Sequence, residues 1–405
     1  MSKVYPFYAL TPAVKLAKEV IAPPYDVLSR EEAKSIAQSV PNSFIRVTRS
    51  EIDLADNVDP HGTEAYNQAK KTLEQYIQQG ILHLDKEQHF YLYQQTWQGR
   101  TQTGFMALCD TLEYDNNTIK KHELTRPVKE DDRTVHIDTL DAQTGLVFLS
   151  YRDIYPKLRT LIEQIQQTTQ PQWVVKTEDD VEHALIRIDT QHNQALQDAF
   201  AEVEALYIAD GHHRSAAASR VAKIRNREGT SGYFLTGIFP DSQVKIMAYN
   251  RVVHDLNGHS KSAFLNAVAK SFTTQPTASK IPQVRGQMTM YLDGQWYLLQ
   301  PKSVPEDVVG RLDVAVLQDQ LLTPILGIEN PRTDKRIKFV GGIRGPQALQ
   351  NAVDRGSAVA FHMYPTGIDQ LLDVADANRL MPPKSTWFEP KLRGGVLVHA
   401  FGVQK

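Results

Sequence analysis

The chain has 405 residues, of which 41% are hydrophobic and 23% charged, and its formal net charge at pH 7 is −2. This length is too great for one ordinary hydrophobic core and predicts two or three compact units. The near-neutral charge excludes a field strong enough to collect nucleic acid or anionic lipid. A single cysteine, Cys109, excludes both a disulfide framework and a cysteine-based zinc site.

The start of the chain shows no targeting pattern. It lacks the apolar run of a secretory signal, and no window approaches the roughly 20 apolar residues that span a bilayer. We therefore expect a cytoplasmic protein with neither a membrane nor a nucleic-acid partner.

The N-terminal part predicts a helix followed by a strand. Ser29 and Glu32 have the spacing of a capping box, so a helix is expected from there to about Ser39. Residues 42–49 alternate in hydropathy and predict a strand. On that strand Arg46 could face an anion or belong to a solvated surface.

A β-hairpin is expected over residues 89–113. The apolar residues alternate strongly on both sides of Gln98–Gly99, and glycine is typical of a hairpin turn.

The next segment, residues 119–133, combines His122–Glu123 with many charges. The zinc-protease pattern H-E-x-x-H fails, because Arg126 stands where the second histidine belongs. The segment is either a salt-bridged surface or a catalytic loop, in which Glu123 is a general base and cations face a phosphate. The candidate phosphate ligands in this segment are Lys121, Arg126, Lys129 and Arg133.

Residues 206–218 predict a strand, a glycine turn and the start of an alanine-rich helix. This geometry leaves backbone N–H groups and the positive end of a helix dipole available to hold a phosphate. Asp210, at the strand end, could bind a metal or orient an imidazole. The alternative is an ordinary strand–helix connection whose polar residues cap the helix. The candidate phosphate ligands in the turn are Gly211, His212, His213, Arg214 and Ser215.

The alternation of strands and helices predicts a mixed α/β to α+β fold. We expect an N-terminal segment, 1–87, packed on a phosphate-binding catalytic core, 88–255, and a C-terminal α+β domain, 256–405. In that last domain the basic run 332–338 could receive a phosphate or form a solvated loop.

The common nucleotide-binding and hydrolase motifs are absent. The sequence contains no G-x-G-x-x-G, no G-x-x-x-x-G-K-[ST] and no G-x-S-x-G pattern. If the D-G-H-H-R turn and the charged segment converge, the natural chemistry is phosphoryl transfer, in which cations neutralise the spreading charge. Glu123 is then the candidate base for an alcohol nucleophile.

Four motifs together resemble one prokaryotic family. They are Pro23–Leu28, Lys121–Pro127, Ala209–Arg214 and Met381–Thr386. These motifs look like the family catalogued as domain of unknown function one thousand and fifteen, and the resemblance covers essentially the whole chain.

The segment 208–216 is also similar to the D-G-H-H-R turn of free L-serine kinases, small proteins with the ParB/sulfiredoxin fold. In those enzymes the glutamate of an upstream His-Glu pair acts as the base on the serine hydroxyl. The resemblance therefore implies a ParB/sulfiredoxin-like mixed core with N-terminal additions. It also implies that Glu123 is the base and that Asp210 orients a group or binds metal. His213 and Arg214 would hold the transferred phosphate.

Two other groups with that fold match less well. Sulfiredoxins place a cysteine in the corresponding turn, where this chain has His212, so reduction of sulfinic acids is not expected. ParB proteins add a helix-turn-helix for DNA, which this sequence does not show convincingly.

We therefore expect a metal-dependent phosphotransferase: a kinase that converts free L-serine, or a similar small alcohol, to O-phosphoserine. The expected cofactors are Mg²⁺, held by Asp210, and a phosphate donor, which is ATP, ADP or pyrophosphate. A phosphatase with the same phosphate site and a non-catalytic nucleotide-binding regulator remain as alternatives. The expected partners are small molecules, and the sequence leaves the oligomeric state open, a homodimer included.

Overall fold

The computed structural model describes residues 2–402, in which strands and helices alternate along most of the chain. In chain order the strands are β1 (Val4–Tyr5), β2 (Ala9–Pro12), β3 (Leu82–Leu84), β4 (Tyr91–Trp97), β5 (Arg100–Asp110), β6 (Ile119–Lys120), β7 (Ala142–Gln143), β8 (Val147–Tyr151), β9 (Trp173–Lys176), β10 (Glu182–Arg187), β11 (Leu206–Asp210), β12 (Tyr233–Pro240), β13 (Ile246–Met247), β14 (Tyr249–Val253), β15 (Phe272–Pro276), β16 (Met288–Leu292), β17 (Gln295–Pro301), β18 (Ile337–Gly341), β19 (Val359–Met363), β20 (Trp387–Phe388) and β21 (Val398–Ala400).

The α-helices are α1 (Ala17–Val20), α2 (Arg30–Ser39), α3 (Ile45–Thr48), α4 (Thr63–Gln78), α5 (Thr111–Asp115), α6 (Pro127–Leu140), α7 (Pro156–Thr168), α8 (Asn193–Ala201), α9 (His212–Ile224), α10 (Lys261–Ser271), α11 (Asp313–Leu317), α12 (Gly345–Asp354) and α13 (Ile368–Asp376). Short 3-10 turns cover Val14–Leu16, Tyr25–Val27, Ser50–Asp53, Thr190–His192, Asp241–Gln243 and Gly342–Arg344, and a π-helix covers Gln318–Leu322. The predicted mixed α/β class is confirmed.

The chain divides into two compact units. The first holds the residues up to 244 together with those from 390 onward, and the second is Lys245–Glu389. The N-terminal segment, which was expected to pack on the core, lies in the same unit as that core. The end of the chain, which was expected to belong to the C-terminal domain, returns to the first unit, where β21 pairs with β2 and β7.

The first unit is built on a nine-stranded mixed sheet. Its order is β6, β11, β8, β12, β5, β4, β10, β9, and β1 pairs with the end of β5. Strand β12 lies near the centre, and its continuous apolar sequence fits a strand buried on both faces. Helices α7 and α8 supply Leu158 and Phe200 to the core on this sheet, where Phe200 stacks on Phe105 at 4.5 Å between ring centroids.

The second unit contains a six-stranded antiparallel sheet in the order β15, β17, β16, β19, β14, β18. Helix α12 packs on it through Leu349, beside Tyr291 and Trp296. The turn between β16 and β17 is Asp293–Gly294, both with positive φ.

Several local predictions are confirmed, and one is wrong. Ser29 and Glu32 form both bonds of the capping box at the start of α2, and β4 and β5 form the hairpin around Gly99. The strand expected at 42–49 is instead the short helix α3. Its residues Ile45, Val47 and Thr48 are buried, so tertiary packing overrides the alternation that favoured a strand.

Within the described residues, no helix is long and apolar enough to cross a membrane.

Buried neutral histidines should make the first unit sensitive to acid. Burial lowers the pKa of His136 and of His399 to about 3. The unfolded chain takes up protons at these imidazoles below about pH 6.5, and the folded chain does not. The free energy of unfolding should therefore fall as the pH drops from about 6.5 toward 3, by up to about 1.4 kcal/mol per pH unit for each histidine. Urea titrations at several pH values measure this slope.

The matched variant is His399→Gln, because His399 is buried and its imidazole lies 2.9 Å from the Thr230 hydroxyl, a contact that an amide can replace. This variant should show a shallower dependence of unfolding free energy on pH than the wild type. If the unfolding free energy of the variant depended on pH as steeply as that of the wild type, this would contradict the inferred contribution of His399.

Candidate functional site

The D-G-H-H-R segment has the predicted strand–turn–helix geometry. Strand β11 ends at Asp210, Gly211 precedes the helix with φ 105° and ψ 24°, and α9 begins at His212. The pairing of β11 with β8 shifts register between Ile208 and Asp210, a bulge of the kind that re-aims side chains next to functional sites. The first-turn amides of α9 therefore follow the carboxyl end of β11, and a helix N-terminus is a position that favours an anion.

Gly211 is required both by its backbone angle and by its neighbours. A Cβ atom there would lie 3.0 Å from Arg214 Nε and 3.4 Å from Val147 Cα. Gly211→Ala should lower the free energy of unfolding by about 1–2 kcal/mol through the left-handed conformation alone. It should in addition displace the Arg214 guanidinium. Urea titration measures the loss of stability, and titration with pyrophosphate, used as an anion probe for the turn, measures the effect of displacing Arg214.

Gly99→Ala is the matched control for this substitution. Gly99 also has a positive φ, 73°, but a Cβ atom there would meet nothing within 4 Å. Gly99→Ala should lose stability without a change in the affinity for pyrophosphate. Equal effects of both variants on binding would contradict the close approach inferred at Gly211.

The charged segment converges with this turn. Strand β6 pairs in parallel with β11, so that Ile119 lies opposite Leu206 and Lys120 opposite Tyr207. Both segments therefore leave the sheet at the carboxyl ends of these two neighbouring strands. The ring of His122 contacts the ring of His212 edge-to-face, with 4.5 Å between centroids. One ligand atom each of His122, Glu123 and His212 lies within 4.8 Å of the others.

Both imidazoles of this group are buried and neutral. Burial lowers the pKa of His122 to about 4, and it lowers the pKa of His212 well below the ordinary value. Nδ1 of His122 and Nε2 of His212 are buried and have no hydrogen-bond partner among the described residues. Glu123 is half-buried. His212, expected as a phosphate ligand, therefore faces His122 instead.

Asp210 does not fit the Mg²⁺ site predicted for it. One of its carboxylate oxygens lies 3.1 Å from Arg214 Nη2 and 3.8 Å from Lys391 Nζ. A hard divalent ion such as Mg²⁺ prefers several oxygen ligands. One carboxylate that already lies beside two cations does not provide such a site. The contacts of Asp210 support the other predicted role, in which it orients a neighbouring group. That group is Arg214.

His213 joins the starts of two helices. Its Nε2 accepts a hydrogen bond of 3.0 Å from the backbone N–H of Arg126, the residue that precedes α6. Burial, followed by the charges of Lys129 and Arg126, lowers the pKa of His213 to about 4. The imidazole is therefore neutral at pH 7 and carries its proton on Nδ1, from which it can donate to an anion.

Arg214 is a fixed cation behind the turn. Burial opposes its charge, but the carboxylates of Asp210 and Asp26 raise the pKa of its guanidinium. Its side chain is 14% exposed, so it has little freedom to leave the site.

A cavity of about 370 Å³ lies beside α6. Arg133 is part of its wall: its guanidinium lies 4.3 Å from the centroid of the Tyr25 ring and bonds Asp132 at 2.7 and 2.8 Å. A smaller cavity of about 30 Å³, which shares Tyr25 and Arg133, reaches Arg214. The lining of the larger cavity includes Tyr25, Asp26, Arg49, Glu51, His61, Tyr66, Lys129, Asp132, Arg133 and His136.

Two predicted phosphate ligands are held elsewhere. The ammonium of Lys121 donates to the carbonyl of Tyr114 at 2.9 Å and lies over the Tyr114 ring. The hydroxyl of Ser215 is buried and donates to the carbonyl of Gly211 at 3.1 Å. Arg126 and Lys129, in contrast, lie close enough to His213 for their charges to act on it.

The sequence did not identify four residues that the structure brings to this region. Tyr25 and Asp26 follow two prolines, Asp132 anchors Arg133, and Lys391 lies on the returning end of the chain. The Pro-Pro-Tyr-Asp motif was a signal for the first two. Nothing in the sequence pattern pointed to Lys391.

A family model described as "Protein of unknown function (DUF1015)" matches residues 4–315. No curated protein matches the chain.

Several solved structures match with high probability but low similarity. A free serine kinase mutant in complex with AMP has a TM-score of 0.38 and 8% identity, over 70% of this chain and 86% of that one. SbnI with a C-terminal truncation, from Staphylococcus aureus, has a TM-score of 0.40 and 9% identity, over 71% and 85%. A conserved hypothetical protein from Pyrococcus furiosus has a TM-score of 0.34 and 9% identity, over 70% and 90%. These likenesses assign no activity to this chain.

Proposed function

Because the chain belongs to the family described as protein of unknown function (DUF1015), and this description names no reaction, we propose a function from the site itself. The chain is a kinase that transfers a phosphoryl group to the hydroxyl of free L-serine. One observation carries the proposal: the pairing of β6 with β11 brings the Glu123 carboxylate to the start of α9. A base and an anion-binding helix terminus are the two groups that this transfer needs.

The phosphoryl group would bind at the start of α9. The first-turn amides and the helix dipole attract an anion there, and the buried guanidinium of Arg214 adds a cation whose charge is partly balanced by Asp210. The Nδ1–H of His213 is a further donor, since its Nε2 is occupied by the Arg126 amide. These groups would neutralise the charge that spreads over the phosphoryl oxygens.

The donor would occupy the cavity beside α6. Its volume of about 370 Å³ lies within the range of ordinary small-molecule sites. Lys129 lines this cavity and lies close to His213. A nucleotide in the cavity would direct its phosphates past Lys129 toward Arg214, which lines the smaller adjoining cavity.

In the transfer, a Glu123 carboxylate oxygen accepts the proton of the serine hydroxyl. The serine oxygen forms a bond to phosphorus while the bond from phosphorus to the leaving oxygen breaks, and the leaving group keeps that electron pair. The acceptor, serine, follows from the similarity of the D-G-H-H-R turn to that of free serine kinases.

The test is to incubate the purified chain with L-serine and Mg²⁺ and, in separate reactions, ATP, ADP or pyrophosphate. O-phosphoserine with any donor supports the kinase. Hydrolysis of phosphoserine without its synthesis would replace the kinase by a phosphatase that uses water as the nucleophile. Donor binding without turnover in either direction would replace it by a nucleotide-binding regulator.

A further inference from the structure

His122, Glu123 and His212 form a compact group of metal-ligating side chains. One ligand atom of each lies within 4.8 Å of the other two. The two histidines are 2% and 6% exposed, and Glu123 is half-buried. The group is therefore closed on the histidine side and reachable from the glutamate side.

Two buried ring nitrogens of this group have no hydrogen-bond partner in the part of the chain that the structure describes. They are Nδ1 of His122 and Nε2 of His212. Buried polar atoms nearly always have a hydrogen-bond partner, so each exception indicates a partner that is not part of the protein, such as a water molecule or an ion. A single bound ion would satisfy both imidazoles at once.

The donor set selects the class of ion. Two neutral imidazoles and one carboxylate suit zinc and similar divalent transition metals, whereas Mg²⁺ and Ca²⁺ prefer oxygen ligands throughout. Zinc bonds of about 2.0–2.1 Å in a tetrahedron place ligand atoms about 3.3 Å apart. Separations of at most 4.8 Å therefore need an inward movement of about 1.5 Å or less.

We propose that His122, Glu123 and His212 bind one divalent transition-metal ion of the Zn²⁺ class, with a fourth position open on the Glu123 side. This binding stands on the geometry alone. A consequence rests on the proposed function: a carboxylate that holds a metal cannot accept the serine proton, so Zn²⁺ would inhibit serine phosphorylation.

The test uses Co²⁺ as a spectroscopic substitute for Zn²⁺. The full chain, first stripped with a chelator, is titrated with Co²⁺, and the visible absorption of low-coordinate cobalt is followed. The wild type should bind one equivalent, and Zn²⁺ should displace it. A spectrum that stays that of hydrated cobalt would overturn the proposal.

Three variants assign the ligands. His212→Asn and His122→Asn should each weaken Co²⁺ binding at least about 10-fold, which is about 1.4 kcal/mol. Because either substitution of a buried histidine could disturb folding, Glu123→Gln at the half-exposed position is the third variant and should also weaken binding. His213→Asn, which changes the neighbouring histidine of the same motif, should bind Co²⁺ as the wild type does. Equal weakening by His213→Asn, or wild-type binding by the other three, would overturn the assignment.

The failure of this proposal and that of the kinase can be told apart. Cobalt absorption is read without substrate, so it supports the metal site even if no phosphoserine forms. If phosphoserine forms and saturating Zn²⁺ leaves its rate unchanged while displacing Co²⁺, the inhibitory consequence is overturned.

Discussion

Glu123→Gln is expected to lower the rate of serine phosphorylation by about 10²–10⁴-fold, the usual contribution of a positioned general base. Glutamine has nearly the shape of glutamate but cannot accept the hydroxyl proton. The variant should keep the donor affinity of the wild type, because the proposed donor contacts come from α9 and the cavity. Initial rates of O-phosphoserine formation and calorimetric binding of the donor measure the two properties.

The matched control for this substitution is Glu182→Gln. It makes the same chemical change at an exposed position of β10, away from the start of α9. Its turnover should equal that of the wild type. Undiminished turnover in Glu123→Gln would remove Glu123 from the reaction.

Arg214→Gln is expected to weaken donor binding by about 10- to 100-fold, since a hydrogen bond to a charged group contributes about 1.5–3 kcal/mol. The glutamine amide can still donate to Asp210, so part of the local hydrogen bonding is kept. The variant should also bind pyrophosphate more weakly, because the lost charge acts on the phosphate. Calorimetry with a non-hydrolysable nucleotide and with pyrophosphate gives both affinities.

Arg220→Gln provides the control on the same helix. Arg220 lies on the surface of α9, where it pairs with Asp131 at 2.6 Å and Glu130 at 3.3 Å. Its loss should leave donor affinity unchanged. Wild-type affinity in Arg214→Gln, or equal losses in both variants, would contradict a direct role for Arg214.

The turn at Gly211 could be predicted because its signals are local. An apolar run, Asp-Gly and an alanine-rich stretch specify strand, left-handed turn and helix with no help from distant residues. The capping box at Ser29 and the hairpin at Gly99 were predictable for the same reason.

The residues that make up the site were harder to predict from the sequence. Lys121 and His122 are neighbours in sequence, but only Lys121 was predicted to be a ligand, and His122 was given no role of its own. Adjacent residues of an extended segment face opposite ways. His122 contacts His212 at the start of α9, while Lys121 is held by Tyr114. The position of His122 depends on the pairing of β6, a strand of only two residues, and so short a strand leaves almost no hydropathy pattern.

Long-range contacts account for the other omissions. Asp26 and Lys391 reach the neighbourhood of Asp210 and Arg214 from opposite ends of the chain. Their placement follows from packing of the whole first unit, which no local pattern encodes. The helix at 45–48 departed from prediction for a similar reason, since the packing of Ile45, Val47 and Thr48 in the core was decisive.

The most direct test of the central claim is to follow the hydroxyl oxygen of serine through the reaction. The full chain is incubated with a phosphate donor and L-serine that carries a heavy oxygen isotope in its hydroxyl group, and the product is analysed by mass spectrometry. The account predicts O-phosphoserine that retains the label, because the serine oxygen attacks phosphorus. Absence of O-phosphoserine with ATP, ADP and pyrophosphate alike, or a product that has lost the label, would contradict it.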